Sequence, residues 1–191
     1  MSLFHRKSQA ERFEEMAREH ERMLYLLCLR MTGHPQDAQD CAQEALLRAY
    51  RAFDSFRGQS SAKTWLYRIA YNACLDFLRK RRDTASLDQL REAGFDPADS
   101  RVPQPGDRLE RQELRQQIEY ALTLLSEDQR AVIVLRDFQQ LPYEEIAAIL
   151  EVGEGTVKSR LSRAREKMKN ILLQMEQNDF SCVQAGEGRQ R

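Results

Sequence analysis

LPYEEIAAILEVGEGTVKSRLSRAREKM, the stretch from Leu141 to Met168, contains two apolar repeats separated by a turn. The first repeat runs from Ile146 to Leu150 at the spacing of a helix. Gly153 and Gly155 then interrupt the pattern as turn residues. The second repeat places apolar residues at intervals of four, three and four, from Val157 to Met168. The stretch therefore predicts two short helices joined by a tight turn.

The side of the second helix that lies opposite its apolar residues carries hydroxyl and basic groups. Together with the flanks, this side consists of Thr156, Lys158, Ser159, Ser162, Arg163 and Arg165. Residues 154–169 hold six basic and two acidic side chains, whereas residues 111–153 hold four basic and eight acidic ones. The net charge therefore changes from negative to positive where the second helix begins. This change favours a helix-turn-helix whose second helix enters the major groove. A basic helix that docks a protein is the alternative.

Length and composition set the limits for the other parts of the chain. Its 191 residues allow one domain or two small ones, and 30 basic residues balance 30 acidic ones. The distribution of charge, and not the net charge, therefore argues for nucleic acid. The sequence has no run of about 20 apolar residues and no apolar signal core at its start, so we expect a cytoplasmic protein without membrane insertion.

Neither the cysteines nor the histidines have the spacing of a metal site. Cys28, Cys41, Cys74 and Cys182 are predicted to be small core residues in a reducing cytosol. The sequence shows no nucleophile–base pair, no P-loop and no Gly-rich dinucleotide loop. We therefore expect no metal, no cofactor, no catalytic residues and no enzymatic activity.

The N-terminal half has three predicted helices, over residues 10–31, 36–53 and 63–82. Trp65 shares a face of the third helix with apolar residues and is interpreted first as a core residue. The run Arg79-Lys80-Arg81-Arg82 ends this helix. It is either a phosphate-binding segment or a basic helix end that the helix dipole favours.

The resulting fold class is all-α, with two small helical domains joined by a flexible linker and a helix-turn-helix in the second domain. The predicted divisions are an N-terminal tail 1–9, a domain 10–82, a Pro-containing acidic linker 83–110, a domain 111–175 and a flexible tail 176–191.

Two blocks of sequence carry a family resemblance. DAQDCAQEALLRAYRAFDSFRGQSSAKTWLYRIAYNACLDFLRKRR (37–82) and the span from LSEDQRAVIVLRDF through EGTVKSRLSRAREKM (125–168) resemble the two domains of a bacterial RNA polymerase sigma factor of the extracytoplasmic-function group. The strings TWLYRIAYN and GTVKSRLSRARE are highly specific. Pro142 and Gly153 depart from the family pattern, because a serine is common at each position, so the recognition helix is expected to have a weaker N-cap.

The resemblance implies that the chain binds core RNA polymerase, directs it to promoters and promotes strand opening under the control of an anti-sigma factor. The implied polymerase contacts are the clamp coiled coil of the largest subunit and the flap. The basic outer face described above would read the −35 element. The −10 element would be bound by Phe56, Ser61, Asn72, Arg79 and Arg82. Core polymerase would be bound by Asp40, Gln43, Glu44 and Arg48.

Two other interpretations remain open at this point. A helix-turn-helix regulator that never binds core polymerase would leave the 37–82 block unexplained. An enzyme such as a recombinase that carries this module would need a catalytic constellation, and the sequence offers none.

Overall fold

The computed structural model describes residues 8–58, 60–85 and 107–187, with side chains for 8–58, 60–83 and 112–177. Seven α-helices are present in these ranges. They are α1 (Gln9–Thr32), α2 (Pro35–Ala52), α3 (Ala62–Ala85), α4 (Asp107–Thr123), α5 (Glu127–Ile133), α6 (Tyr143–Leu150) and α7 (Glu154–Glu187). A short 3-10 turn (Phe53–Ser55) follows α2, and a π-helical turn (Val134–Phe138) continues α5. The predicted all-α class is confirmed.

Local sequence fixes several of the helix ends. Ser8 caps α1 in a capping box, because the Glu11 N–H donates to Ser8 Oγ (3.2 Å) and the Ser8 N–H donates to Glu11 Oε2 (2.6 Å). Ser126 and Gln129 form the same box at the start of α5. Gly33 ends α1 with φ +77°, a conformation that residues with a Cβ rarely adopt.

The N-terminal unit (α1–α3) packs its three helices around one apolar core. Leu24, Leu27 and Met31 of α1 are fully buried there, as are Leu66 and Tyr67 of α3. Cys28, Cys41 and Cys74, one from each helix, are buried free thiols in this core. Their predicted core role is therefore confirmed, whereas the side chain of Cys182 lies outside the described residues.

The C-terminal unit (α4–α7) contains the helix-turn-helix, formed by α6 and the start of α7. The stripe Val157, Leu161 and Ala164 is buried, as predicted. The turn differs from the expectation, because its left-handed residue is Glu151 (φ 55°) and not a glycine. Gly155 lies inside the first turn of α7, and Pro142 is the N-cap of α6 and precedes its first turn.

The two units share a continuous core. α3 packs on α6, and α1 packs on α4, α5 and the π-helical turn. Most of the predicted linker, residues 86–106, lies outside the described residues, as do residues 1–7 and 188–191. α7 continues as helix to Glu187, beyond residue 176 where a tail was predicted to begin. The flexibility of that tail stays a prediction.

Candidate nucleic-acid interface

The outer face of α7 presents every residue that the sequence assigned to the −35 element. The helix buries its apolar stripe against α5 and α6, which leaves the opposite side in solvent. The exposed residues on that side are Thr156, Lys158, Ser159, Ser162, Arg163 and Arg165. Gly153 begins the helix with its backbone carbonyl, which accepts from the N–H groups of Thr156 (2.9 Å) and Val157 (3.1 Å). The position of these side chains therefore depends on a single helix and on hydrogen bonds between residues close in sequence.

Three cations of α7 already have acidic partners inside the C-terminal unit. Arg165 donates two hydrogen bonds to the Asp137 carboxylate, and these bonds raise the pKa of Arg165. Arg160 Nη2 lies 3.1 Å from Asp128 Oδ2, and Lys158 Nζ lies 3.9 Å from Glu154 Oε2. The intramolecular carboxylates reduce the positive potential that these three residues offer to phosphates.

Arg163 differs from its neighbours on the same helix. Its side chain is exposed and has no ion-pair or hydrogen-bond partner among the described residues. Arginine donates in a planar fork that matches guanine O6 and N7 in the major groove. Arg163 is therefore the residue of this face whose donors are most available to a base edge.

Tyr143 is a neighbour of the recognition helix that sequence reasoning missed. The Arg136 guanidinium lies 4.8 Å from the centre of its ring and Lys158 Nζ lies 5.6 Å from it. Arg136 is held in place because its Nη1 donates to the Leu141 backbone carbonyl (2.7 Å). The residues come from the π-helical turn, α6 and α7, so no single sequence window contains the cluster.

The loop before α3 is arranged differently from the predicted base-capturing pocket. Phe56 stacks on Trp65 with ring centroids 4.7 Å apart and an interplanar angle of 27°. Ser61 caps α3, since the Thr64 N–H donates to Ser61 Oγ (3.0 Å) and the two hydroxyls lie 2.7 Å apart. Both predicted residues therefore have partners within the chain, while Phe56 is half-buried and Ser61 is exposed. The prediction that Trp65 packs on the core is confirmed.

The other predicted −10 residues lie further along α3. Asn72 and Arg79 are exposed, and they follow Trp65 at seven-residue intervals on the same side of the helix. Asn72 lies about 15 Å along the axis from the first turn of α3, so the structure does not place it beside Ser61. Arg82 forms an ion pair with Glu127 of the C-terminal unit at 3.1 Å.

The predicted polymerase-binding residues occupy one side of α2. Asp40 and Gln43 are exposed, while Arg48 bonds to Glu44 and to Asp76 of α3 at 2.7 Å each. The hydrogen bond that Arg48 donates to Asp76, and after it the one that it donates to Glu44, raises the pKa of Arg48. Arg48 therefore ties α2 to α3 in addition to any contact that it makes outside the chain.

Two exposed apolar side chains on α2 were not predicted. Leu47 is 51% exposed and Tyr50 is 45% exposed. The rim of Phe13 contacts the Tyr50 ring edge-on, with centroids 5.2 Å apart. An apolar residue outside the buried stripe of an amphipathic helix is the signal that sequence reading would have needed.

Among the described residues, no helix is both long and apolar enough to span a bilayer. Within the same ranges, no group of His, Cys, Asp and Glu side chains could hold a metal ion.

Comparison with known families identifies both halves of the chain. Residues 16–84 match Sigma-70 region 2, and residues 115–168 match Sigma-70, region 4. The first match covers the N-terminal unit from the middle of α1, and the second covers the helix-turn-helix. A protein with these two regions is a promoter-recognition subunit of bacterial RNA polymerase.

Individual relatives narrow the class. The chain is 41% identical over 139 residues to the ECF RNA polymerase sigma-E factor of Escherichia coli (strain K12), covering 70% of this chain and 73% of that protein. It is 37% identical over 165 residues to the RNA polymerase sigma-H factor of Pseudomonas aeruginosa, covering 84% and 86%. The chain belongs to the extracytoplasmic-function group of sigma factors.

Solved structures agree with this membership. The sigma factor RpoE from Bartonella quintana, in complex with the anti-sigma factor NepR, matches with a TM-score of 0.69 and 28% identity, over 84% of this chain and 96% of that one. CnrH in complex with the cytosolic domain of CnrY matches with a TM-score of 0.60 and 26% identity, over 86% and 89%. A regulator without a polymerase-binding domain is not favoured, because region 2 is present.

Proposed function

We propose a division of labour among the exposed surfaces of this sigma factor. The outer face of α7 reads the −35 element, with Arg163 as the main base contact and Ser159 and Ser162 beside it. The observation that carries this assignment is the exposure of an arginine without a partner, among the described residues, in the middle of the recognition helix. Arg136 and Tyr143 extend the same surface towards the DNA backbone.

Binding of the −10 element is assigned to the side of α3 that carries Trp65, Asn72 and Arg79. Asn72 offers an amide to an unstacked base, and Arg79 offers charge to the backbone of the melted strand. Phe56 and Trp65 stack on each other, so each ring has one face covered by its partner. A base could stack only on a face that the other ring leaves open. Ser61 is exposed, and its hydroxyl would contact DNA from a position fixed by its hydrogen bonds to Thr64.

Core polymerase is assigned to the side of α2 that carries Asp40, Gln43 and Glu44. The exposed Leu47 lies one turn further along, where it supplies apolar area to the same contact. A central apolar side chain with a polar rim is the usual composition of a protein interface. The clamp coiled coil of the largest subunit is the proposed partner of this side, and the flap is the proposed partner of the C-terminal unit.

Control by an anti-sigma factor is proposed because two structurally similar sigma factors were solved in complex with such proteins. The proposed location is the cytoplasm, where core polymerase acts. We further propose that the chain performs no covalent chemistry and needs no cofactor, since every assigned surface binds a macromolecule.

The docking assignment is tested with Gln43→Ala in the full-length chain. Gln43 is exposed and has no partner among the described residues, so its truncation leaves the Glu44–Arg48–Asp76 network intact. We expect a lower affinity for core polymerase in a pull-down titration, and unchanged affinity for a −35 duplex. Glu19→Ala, at an exposed position on α1, is the control. Wild-type affinity in Gln43→Ala would remove this residue from the docking surface.

A further inference from the structure

Three thiols meet in the core of the N-terminal unit. Cys28, Cys41 and Cys74 come from α1, α2 and α3 respectively, and all three are buried and free. Cys74 contacts both of the others, because its side chain shares hydrogen bonds with Cys28 and with Cys41. Neither DNA binding nor polymerase docking uses these side chains. The cluster is therefore a group of nucleophiles whose only assigned role is packing.

The helices that carry Cys41 and Cys74 are close enough for a bond between the two sulfurs. Small residues line the buried side of α2, which carries Ala38, Ala42 and Ala45. Packed helices have axes about 8–10 Å apart, and each Cα atom lies about 2.3 Å from its own axis. The Cα atoms of facing residues therefore come within about 6 Å of each other, which is the usual separation across a disulfide.

Cys41 differs from the other two thiols in exposure and in acidity. It keeps 3% of its surface accessible to solvent, whereas Cys28 and Cys74 keep none. The hydrogen bond with Cys74 lowers the pKa of the Cys41 thiol, in opposition to the effect of burial. The thiolate is the form that reacts with an oxidant. Both differences therefore favour Cys41 as the first thiol to be oxidised.

Cys74 has the opposite properties. It is fully buried, and its hydrogen bonds with Cys28 and then with Cys41 raise its pKa well above that of an ordinary thiol. Cys74 therefore stays protonated near neutral pH and is shielded from reagents in solution. Its contact with Cys41 makes it the thiol that meets an oxidised Cys41 sulfur. A reactive thiol beside a resolving thiol is the arrangement typical of reversible redox sensors.

We propose that Cys41 and Cys74 are a peroxide-responsive thiol pair, in which hydrogen peroxide forms a disulfide between α2 and α3. The Cys41 sulfur attacks one peroxide oxygen, so an S–O bond forms, the O–O bond breaks and one water leaves. The Cys74 sulfur then attacks the Cys41 sulfur, and the hydroxyl group leaves as a second water. The two thiols lose two electrons and two protons, and the peroxide gains both. The reaction modifies the chain itself and turns over no substrate.

The burial of the pair selects for a small oxidant. Hydrogen peroxide has only two heavy atoms, and the side chains around Cys41 on α2 are small. A disulfide such as oxidised glutathione reacts only when a thiolate reaches one of its sulfur atoms directly. The surrounding helices prevent this approach at a residue that is 3% exposed. The site is therefore expected to respond to peroxide and not to oxidised glutathione.

The proposed bond lies next to the polar contacts between α2 and α3. Arg48 follows Cys41 by seven residues, which places it on nearly the same side of α2. It donates to Asp76 of α3 and to Glu44 of α2. A covalent bond between Cys41 and Cys74 draws the two helices together beside this network, so it changes how α2 presents its docking side. This consequence rests on the proposed docking function of α2, whereas the thiol chemistry does not.

The disulfide is detected by mass spectrometry of the full-length chain in a Cys182→Ser background. The folded protein is treated with hydrogen peroxide, denatured in iodoacetamide and digested with trypsin without reduction. Cleavage after arginine places the three cysteines in different peptides, which are residues 23–30, 31–48 and 69–79. We expect a cross-linked peptide of 31–48 with 69–79, two hydrogens lighter than its parts, that dithiothreitol separates.

The controls use the other thiol, the single thiol and the other oxidant. Cys28→Ala removes an equally buried thiol from α1 and should leave the cross-link intact. Cys74→Ala should stop the reaction at the Cys41 sulfenic acid, which dimedone traps. Oxidised glutathione in place of peroxide should leave every thiol free. The native thiols carry the main test, so its result does not depend on whether a variant folds.

Two results would overturn the proposed pair. The first is complete alkylation of all three thiols after the folded chain has been treated with peroxide. The second is a cross-link of 69–79 with 23–30 in place of 31–48, which would assign the reaction to Cys28. A yield of the expected peptide that is the same at high and low protein concentration would show that the bond forms within one chain.

Core polymerase is then titrated with the reduced, the oxidised and the re-reduced chain, after catalase has removed the peroxide. We expect oxidation to lower the affinity several-fold, with recovery in dithiothreitol. Cys28→Ala should behave like the chain with all three thiols, and Cys74→Ala should not respond. Equal affinity of the oxidised and the reduced chain would overturn the effect on docking.

Failure of the thiol pair and failure of the proposed function give different results. A chain that forms the disulfide but binds no core polymerase when reduced contradicts the proposed function and leaves the thiol pair standing. A chain that binds core polymerase but keeps its thiols free in peroxide contradicts the thiol pair and leaves the proposed function standing.

Discussion

The outer face of α7 and the loop before α3 are both assigned to DNA, yet their side chains are in opposite situations. On α7, Ser162 and Arg163 point into solvent, and the helix needs only its buried stripe to present them. Before α3, Ser61 is bonded to Thr64, and Thr64 is bonded to a carboxylate from the other unit. A site carried by one helix is available as soon as the helix forms, whereas a site at an interface depends on what covers it.

The two surfaces assigned to DNA therefore differ in how many of their side chains are held by partners within the chain. The outer face of α7, which we assign to the −35 element, is exposed along its whole length, from Thr156 to Arg165. At the loop before α3, Ser61 is exposed, but its hydroxyl is bonded to Thr64, which is itself bonded to Glu145 of the C-terminal unit.

The largest expected effect is a loss of stability in Arg130→Ala, which tests how much the contact between the two units contributes to folding. Arg130 is 7% exposed and donates to Leu122 O (2.8 Å), Thr123 O (2.8 Å), Leu125 O and, across the interface, Met31 O. Arg130→Ala should lower the free energy of unfolding by about 3–5 kcal/mol, because four carbonyls lose a charged donor. Urea denaturation followed by circular dichroism measures this change.

The matched control for Arg130→Ala is Arg163→Ala on the exposed face of α7. A surface truncation of this kind should change the free energy of unfolding by no more than about 0.5 kcal/mol. Equal midpoints for both variants would mean that water replaces the Arg130 donors, and the interface would then be far weaker than its hydrogen bonds indicate.

Next in size is the effect of Arg163→Ala on base readout. We expect a loss of about 1–3 kcal/mol in binding free energy at particular bases of the −35 element, because Arg163 has its whole donor fork available. Lys167→Ala should weaken all sequences alike and reduce the salt dependence of binding. Titration of a set of single-base promoter variants separates the two patterns. Uniform losses in Arg163→Ala would reassign it to a phosphate.

Strand opening gives the third test, through Asn72→Ala. Asn72 is exposed and lies outside the interface, so closed-complex binding and thermal stability should be retained. Open-complex formation, read by permanganate reactivity of unpaired thymines, should fall about fivefold because an unstacked base loses a partner. Asn170→Ala on α7 is the control for loss of an exposed amide. Full permanganate reactivity in Asn72→Ala would exclude it from base capture.

Phe56→Ala addresses the same loop but is a less direct test. The Phe56 ring stacks on Trp65, and such aromatic pairs stabilise proteins by about 0.5–1.5 kcal/mol. Its truncation should therefore lower the melting temperature along with strand opening. For this variant, a change in strand opening supports a role in base capture only if it is larger than the loss of stability accounts for.

The smallest expected effect concerns Arg165, which the sequence placed on the −35 surface. Asp137 accepts two hydrogen bonds from it, so Arg165→Ala should weaken DNA binding by less than about 0.5 kcal/mol. Asp137→Asn should have the opposite sign, because it removes a negative charge beside the phosphates and leaves Arg165 more available. Fluorescence anisotropy with a −35 duplex at low salt measures both. A large loss in Arg165→Ala would show that Arg165 leaves Asp137 when DNA binds.

Sequence periodicity predicted the two helices of the helix-turn-helix because both apolar repeats and the turn between them lie within one short segment. Val157, Leu161 and Ala164 had to be buried once a 3.6-residue period was recognised, and that burial placed Ser162 and Arg163 outside. The capping box at Ser126 and the left-handed turn at Gly33 are also set within a few residues. The positive φ at Glu151 was missed, because a glycine nearby offered the lower-strain choice.

The tertiary structure alone decided which of the predicted side chains are available. The sequence assigned Arg82, Arg165 and Ser61 to DNA without indicating any partner for them within the chain. Arg82 and Arg165 pair with Glu127 and Asp137, which are distant in sequence. Ser61 bonds to Thr64, which in turn bonds to Glu145. Glu145 and Thr64 are 81 positions apart, so no local pattern links them. Hydrophobic periodicity indicates which side of its own helix a residue lies on. It does not indicate which element of the other unit packs against that side, so it cannot predict such partners.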